Sequence, residues 1–264
     1  MNLRLQGKRA LVTGSTAGIG FSVASALAGE GVSVIINGRT QDRVDRTIKT
    51  IREINPGSGV TGFAGDLSTS EGARILTSNA ENVDILINNL GIYEPKAFTD
   101  TTDEDWLRAI EVNLISGVRL SRHYLPKMLK RNWGRIIFIS SESGVDVPSD
   151  MIHYGVTKTA QISLARGLAE LTAGTHVTVN SVLPGPTNSE GVHKIVVEQA
   201  RARGVEPSAI EKEYFQTSRP TSLLRRLIGP EEIANTVLYL CSPLASATNG
   251  AAIRADGGVL RSIL

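Results

Sequence analysis

The stretch Arg9–Gly20, RALVTGSTAGIG, joins a short apolar run to a glycine-rich turn and to the start of a helical pattern. We expect Gly14 to permit a tight turn, Gly18 to let the backbone approach a pyrophosphate, and Gly20 to let the helix pack closely on the strand. The free amides of the helix N-terminus would face that anion. A glycine turn is a weak signal in a chain with 26 glycines, but its place between a strand and a helix favours a dinucleotide site.

Outward from this stretch, short apolar runs alternate with helical patterns along the chain. The predicted strands are 9–12, 32–37, 60–64, 83–88, 135–139, 176–182 and 251–254. The predicted helices are 18–29, 41–54, 69–80, 103–131, 151–171 and 230–240. Buried strands that alternate with helices are typical of a parallel sheet covered on both faces. The sequence therefore predicts the α/β class: a doubly wound Rossmann fold with a parallel seven-stranded sheet and helices on both faces, formed by residues 1–264 as one domain.

Residues 188–220 interrupt this alternation. The segment is polar and helix-forming, and it contains no strand pattern. Because insertions just past the carboxyl end of a strand commonly cover ligands, we expect this segment to form a lid over the substrate. The alternative is a surface excursion.

The composition argues against several classes of function. The formal net charge is +2 without a block of like charge, which gives binding to nucleic acid or to a membrane surface no electrostatic support. No apolar run approaches the ~20 residues of a membrane span, and the N-terminus lacks a signal-peptide pattern, so we expect a cytoplasmic protein. The single cysteine, Cys241, excludes an internal disulfide and is interpreted as a packing residue. We predict no metal site.

The end of the second strand indicates which nucleotide would bind. NAD-binding folds carry an acidic residue there, which bonds the ribose 2′-hydroxyl. This strand ends in NGRT, residues 37–40, with no carboxylate before Asp42. Arg39 offers a permanently charged donor fork suited to a phosphate, and the hydroxyls of Thr40 and Ser15 could add donors. The sequence therefore predicts NADP(H); the alternative is a solvated Arg39 and NAD.

Two further turns fit the same ligand. Asp66, after the third strand, could accept a hydrogen bond from the adenine amine, and the NNLG turn at 88–91 follows the fourth strand. The alternatives are a helix N-terminal role for Asp66 and a plain turn at 88–91. The complete predicted cofactor-binding set is Gly14, Ser15, Thr16, Gly18, Ile19, Gly20, Asn37, Arg39, Thr40, Asp66, Leu67, Asn89, Leu90, Gly91, Pro184, Gly185 and Thr187.

A second stretch, residues 132–158, carries the polar side chains that suggest chemistry. Its sequence is NWGRIIFISSESGVDVPSDMIHYGVTK. A buried strand is followed by Ser140 and Ser141, and the stretch ends with Tyr154 and Lys158. Their spacing on a helix would place the last two on one face. A hydroxyl, a phenol and an ammonium at the end of a strand suit proton transfer to a carbonyl oxygen.

In this order, the motifs make the chain resemble the single-domain branch of the short-chain dehydrogenase/reductase family, including its 3-oxoacyl-acyl-carrier-protein reductase-like members. The chain departs from the family at Leu90, where Ala is usual, and at Ala17, where many NADP-binding relatives have a basic residue. The preference for NADP therefore leans mainly on Arg39. The motifs are Thr13-Gly14-x-x-x-Gly18-Ile19-Gly20, Asp66, Asn88-Asn89-x-Gly91, Asn113, Ser141, Tyr154-x-x-x-Lys158, Asn180-x-Val182-x-Pro184-Gly185 and Asp256-Gly257-Gly258.

The resemblance implies a Ser-Tyr-Lys-Asn site made by Asn113, Ser141, Tyr154 and Lys158. It implies an NADP(H)-dependent oxidoreductase that interconverts a ketone or aldehyde and an alcohol by hydride transfer. Tyr154 would donate a proton to the substrate oxygen, and Lys158 would lower the tyrosine pKa from its usual value of about 10. Lys158 would also hold the nicotinamide ribose. Ser141 would bond the substrate oxygen, and Asn113 would anchor a water that returns protons through Lys158.

The resemblance leaves the substrate open beyond a small-molecule carbonyl or alcohol. The nicotinamide would lie beside Pro184-Gly185, with its carboxamide bound by the Thr187 hydroxyl or by nearby backbone. Glu142 would either meet a hydroxylated or cationic substrate or be solvated. The alternative function is a non-catalytic nucleotide-binding sensor or scaffold of the same fold. The resemblance also implies a homotetramer, and burial in a subunit interface would explain the apolar end at 259–264.

Overall fold

The computed structural model describes residues 2–263, whose seven strands form one parallel sheet in the order β3-β2-β1-β4-β5-β6-β7. The strands are β1 (Arg9–Val12), β2 (Ser33–Gly38), β3 (Val60–Ala64), β4 (Ile85–Asn88), β5 (Gly134–Ile139), β6 (Val177–Pro184) and β7 (Ala252–Ala255). The predicted doubly wound α/β fold is confirmed. The strand order reverses between β1 and β4, where such sheets open a crevice beyond the carboxyl ends of their strands.

Helices cover both faces of this sheet. They are α1 (Gly18–Gly29), α2 (Gln41–Ile54), α3 (Ser70–Asn79), α4 (Asp103–Ile110), α5 (Ser116–Lys130), α6 (Ile152–Glu170), α7 (Glu190–Arg203), α8 (Pro207–Thr217) and α9 (Pro230–Cys241). Within residues 2–263, none of them has both the length and the apolar character needed to cross a bilayer.

The core lies in two layers, one on each face of the sheet. Apolar side chains of α1, α2 and α9 fill one layer, and those of α3, α5 and α6 fill the other. Successive residues of β1 contribute to opposite layers: Ala10 and Val12 face the first, and Leu11 faces the second. Cys241 is buried in the first layer, and burial raises the pKa of its thiol to about 12, which fits the packing role expected from the sequence.

The predicted helix at 103–131 is broken in the structure. A π-helical turn, Glu111–Ile115, separates α4 from α5, and the Ser116 amide donates to the Glu111 carbonyl across it. Asn113 lies in the middle of this turn, where an asparagine side chain competes with the helix backbone. Turns of this kind are frequent at functional sites.

Residues 188–220 contain two helices, α7 and α8, in agreement with their helix-forming pattern. The Ser189 hydroxyl caps α7 by accepting a hydrogen bond from the Val192 amide. Gly204, in the left-handed region at φ 64°, ends α7. Thr187, just before the segment, forms an isolated parallel bridge with Ile228, which follows it, so the chain returns close to the point where it leaves.

The apolar end of the chain differs in part from its expected place in a subunit interface. Val259 and Leu260 are buried within the chain itself, and the Leu260 amide donates to the Asp256 carboxylate at 3.0 Å. Ile263 is exposed, and Leu264 lies outside the described residues. Val259 and Leu260 therefore need no neighbouring subunit to cover them.

Candidate active site

The glycine turn between β1 and α1 is held by two asparagine side chains. Gly14 and Gly18 have φ values of 58° and 55°, in the region that favours glycine. The side-chain oxygen of Asn37 accepts a hydrogen bond from the Gly14 amide at 3.1 Å. The side-chain amide of Asn89 donates to the carbonyls of Thr13 and Gly14 at 2.9 and 3.0 Å. Asn37 and Asn89, predicted to bind the cofactor, thus use their side chains to fix the turn.

Two other predicted cofactor residues, Ser15 and Leu67, have buried side chains. The Ser15 hydroxyl is fully buried, donates to the Val12 carbonyl at 2.7 Å and accepts from the Asn37 amide at 2.8 Å. Because its one proton is used under the turn, the structure corrects the expectation that Ser15 donates to a 2′-phosphate. The Leu67 side chain is buried in the core, which leaves only its backbone for a nucleotide.

The first turn of α1 suits an anion. Its N-cap, Ala17, makes no side-chain hydrogen bond to the helix, so the first amides keep their donors. A Cβ atom on Gly20 would lie 2.6 Å from the Gly14 carbonyl oxygen and closer still to the Asn89 amide nitrogen. Only glycine lets the helix start this near the turn, and the residues present therefore fit the pyrophosphate of a dinucleotide.

Arg39 and Thr40 are exposed at the carboxyl end of β2. In the described part of the chain, Arg39 is in no ion pair and no side-chain hydrogen bond, so its guanidinium is available to a ligand. Hydrogen bonds from Ser68 lower the pKa of Asp66, and the charge of Arg39 adds to this effect. The Asp66 Oδ1 atom accepts from the amide and the hydroxyl of Ser68, which agrees with the alternative reading of Asp66 as part of a helix N-terminal region.

Three of the four predicted catalytic side chains, Ser141, Tyr154 and Lys158, meet much of the predicted cofactor set in one cleft. Its volume is about 270 Å³, and it opens at the carboxyl ends of β1, β4, β5 and β6. The predicted residues that line it are Ile19, Gly20, Asn89, Gly91, Ser141, Tyr154, Lys158, Pro184, Gly185 and Thr187. The other predicted residues, among them Asn113, Asn37 and Arg39, do not line the cleft.

Ser141 is tied to the residue that follows it. Its hydroxyl donates to the Glu142 carboxylate at 2.6 Å and accepts from the Ser143 amide at 3.1 Å. Glu142 in turn accepts from Arg219, with 3.2 Å between Nε and Oε1. Both Ser141 and Glu142 are buried, so Glu142 is not solvated, and the structure excludes that alternative. The sequence gives no signal for Arg219, which lies far along the chain.

The two central groups of the cleft have shifted pKa values. Burial raises the pKa of Tyr154 above its usual range, and the Ser141 hydroxyl opposes this only in part. Burial lowers the pKa of Lys158 to about 8. The Lys158 ammonium donates to the Ile139 carbonyl at 2.9 Å and to Gln161 at 3.2 Å, and it lies 5.6 Å from the centre of the Tyr154 ring. Burial dominates in this arrangement, so the Tyr154 pKa is raised, and its lowering by Lys158 stays a prediction.

Asn113 fastens the loop after β4 to α6. Its side chain accepts from the Ile92 amide at 2.8 Å and donates to the Ile92 carbonyl at 3.0 Å and the Thr157 hydroxyl at 2.9 Å. Its backbone carbonyl accepts from the Gln161 side-chain amide. The predicted water at Asn113 stays a prediction, whereas this structural role rests on direct bonds.

Tyr93 and two residues at the start of the 188–220 segment also line the cleft. Tyr93 is half exposed, and its ring lies edge-on to that of Tyr154 with 6.2 Å between centroids. Ser189 and Val192, at the start of α7, line the same cleft. Across residues 2–263, no three or more His, Cys, Asp or Glu side chains come together as metal ligands would.

The sequence and the fold are similar to those of known oxidoreductases. A family model described as short chain dehydrogenase matches residues 8–200. The uncharacterized oxidoreductase YvrD of Bacillus subtilis (strain 168) is 51% identical over 266 residues, and the match covers 100% of each chain. The 3-oxoacyl-acyl-carrier-protein reductase FabG of Aquifex aeolicus (strain VF5) is 32% identical over 98% of this chain and 100% of its own. L-sorbose reductase from Gluconobacter frateurii, solved with NADPH and L-sorbose, superposes with a TM-score of 0.93 at 29% identity, covering 100% of both chains.

We expect Gly20→Ala to destabilise the protein by about 1–3 kcal/mol, because the new methyl group meets backbone atoms of the glycine turn. Nucleotide affinity should fall with it. Chemical denaturation and fluorescence titration with NADPH measure the two effects. Gly167→Ala is the control, since a Cβ atom there meets nothing within 4 Å. Equal stability of the two variants would contradict the close packing described for Gly20.

We expect Arg219→Ala to lower the free energy of unfolding by up to about 3 kcal/mol, because Glu142 keeps a buried charge without its cation. Thermal and urea unfolding measure this loss. The control is Arg203→Ala, which breaks the exposed Arg203–Glu213 pair in the same segment and should change little. Similar effects of both variants would contradict a special role for the buried pair.

Proposed function

The chain belongs to the short-chain dehydrogenase family, and on this basis we propose that it is an NADP(H)-dependent oxidoreductase interconverting a ketone or aldehyde and an alcohol. The observation that carries the proposal is the shared cleft, in which Ser141, Tyr154 and Lys158 stand beside a glycine turn suited to a dinucleotide. The substrate is a small molecule.

The chain's own residues would move and stabilise a proton at the substrate oxygen, while NADPH, when bound, supplies the hydride. Because burial raises its pKa, the Tyr154 phenol holds its proton at neutral pH and is available as a general acid. Lys158, with a pKa near 8, is mostly charged at pH 7 and would stabilise the phenolate that proton donation leaves. Ser141 would exchange its bond to Glu142 for one to the substrate oxygen. As a further part of the proposal, Asn113 completes the set through its bonds to Ile92 and Thr157.

The preference for NADP(H) over NAD(H) rests on the end of β2. Arg39 is exposed there without a competing carboxylate partner, and it offers two parallel donors that match a phosphate. The structural similarity to a reductase solved with NADPH supports the same choice.

The proposal includes residues 188–220 as a lid over the substrate. Two contacts support it: Ser189 and Val192 line the cleft, and Arg219 reaches Glu142 next to Ser141. We also propose a cytoplasmic homotetramer assembled through α4 to α6. Exposed apolar side chains on or next to these helices, Leu107, Val156 and Leu171, fit such an interface, and light scattering measures the assembly.

We expect Tyr154→Phe to lower turnover by about 10²–10⁴-fold, because the general acid is lost while the ring is kept. The measurement is NADPH absorbance with a broad panel of ketones, aldehydes and sugars. Tyr239→Phe, at an exposed tyrosine of α9, should leave turnover unchanged. Unchanged turnover in Tyr154→Phe would refute the mechanism. If the wild type binds NADPH but reduces nothing in the panel, the sensor function replaces the reductase.

We expect Arg39→Ala to weaken NADPH binding by about 10- to 100-fold, as the loss of charge-assisted hydrogen bonds to a phosphate does. Affinity for NADH should stay the same, since NADH lacks that phosphate. Calorimetry with both nucleotides gives the two affinities. Arg46→Ala, which removes an exposed arginine of α2, serves as the control for a general loss of positive charge. An equal loss for NADPH and NADH in Arg39→Ala would contradict the assignment.

A further inference from the structure

The buried side chain of Gln161 connects Lys158 to the π-helical turn. It lies on α6 three residues after Lys158, and its Oε1 atom accepts from the lysine Nζ at 3.2 Å. Its Nε2 atom donates to the Asn113 carbonyl at 2.5 Å. The orientation of the amide is fixed by chemistry, because an ammonium only donates and a carbonyl only accepts.

We propose that Gln161 is a positioning residue that holds the Lys158 ammonium in its catalytic place by joining it to the Asn113 carbonyl. The proposal rests on the proposed reductase function in assigning a catalytic use to Lys158; the link itself is independent of it.

The remaining donor of Lys158 shows what this positioning achieves. An ammonium has three N–H donors, and two of them bond Ile139 and Gln161. Among residues 2–263, the third has no hydrogen-bond partner. A Cβ atom on Gly91 would lie 3.4 Å from Nζ, so the ammonium packs against the bare backbone of the loop after β4. By occupying one donor, Gln161 limits the directions that remain for the third, which is the one left for a ligand in the cleft.

The link also affects the charge of Lys158. A hydrogen bond accepted from an ammonium favours the charged form and opposes the effect of burial. The Gln161 side chain does not titrate, so it stabilises the charged form of Lys158 without accepting its proton. The titratable group nearest to Lys158 is Tyr154 on α6. The Tyr154 phenol is in turn influenced by Tyr93 after β4, Glu142 after β5 and Arg219 after α8. In the described part of the chain, Gln161 is the one side chain that accepts a hydrogen bond from Nζ.

Two variants separate this role from packing. Gln161→Met keeps the length of the side chain but removes the acceptor, so the pKa of Lys158 should fall by about one pH unit. Gln161→Glu places a carboxylate against the ammonium, so the same pKa should rise by about one unit. Thr159→Val, which loses hydrogen bonds to Gly144 and Gly155 elsewhere on α6, should leave it unmoved.

The measurement is ¹⁵N NMR titration of the lysine Nζ in the cofactor-free full-length protein, with the resonance assigned by its loss in Lys158→Met. Shifts in opposite directions for Gln161→Met and Gln161→Glu support the proposal, and any other pattern overturns it. If Gln161→Met fails to fold, the absence of an upward shift in Gln161→Glu is sufficient to overturn it. Where the wild type reduces a carbonyl, the alkaline limb of kcat/KM for reduction should move with the NMR value. A wild type without turnover refutes the proposed function and leaves the NMR result to decide the role of Gln161.

Discussion

The burial of the Lys158 ammonium is the constraint on which the arrangement of the site depends. An unpaired charge inside a protein costs several kcal/mol, so a buried ammonium needs hydrogen-bond acceptors. Lys158 has them in the Ile139 carbonyl at the end of β5 and in the Gln161 side chain. Gln161 continues the connection to the Asn113 carbonyl between α4 and α5. One charge thereby joins the sheet, α6 and the broken helix pair, and its position follows from all three.

Two further charges, those of Glu142 and Arg219, act on Tyr154. Burial makes the largest contribution to the raised pKa of Tyr154, but Glu142 raises it further and Arg219 lowers it. Glu142 belongs to the loop after β5, whereas Arg219 follows α8. The electrostatic environment of the phenol therefore depends on how the 188–220 segment lies against the sheet. In the proposed lid, closure and protonation of Tyr154 are linked through these charges.

The features that could be predicted from the sequence are those that depend on local residue patterns. The five inner strands, β1, β2, β4, β5 and β6, are buried along nearly their whole length and so appear as apolar runs. The β6 strand extends to Pro184, past its predicted end at 182. Tyr154 and Lys158 were found because one helical turn separates them. The directions of side chains were not predictable: Ser15 bonds under its own turn, and Arg219 meets Glu142 across 77 positions in the chain. Gln161 was within reach, because its spacing from Lys158 already places both on one face of a helix.

In the proposed nucleotide site, the residues that shape the glycine turn differ from the residue proposed to select the ligand. The side chains of Asn37 and Asn89 bond backbone atoms of the glycine turn and its neighbours, and nothing in these bonds distinguishes NAD from NADP. Arg39 is exposed at the rim, and the fold does not depend on its charge, whose effect within the chain is a small contribution to the pKa of Asp66. Under the proposed assignment, a substitution of Arg39 would alter selectivity at little cost in stability, whereas one at either asparagine would disturb the turn and with it the affinity for both nucleotides. Since exposed positions tolerate replacement far better than buried ones, the choice of nucleotide is the property of this site most open to change.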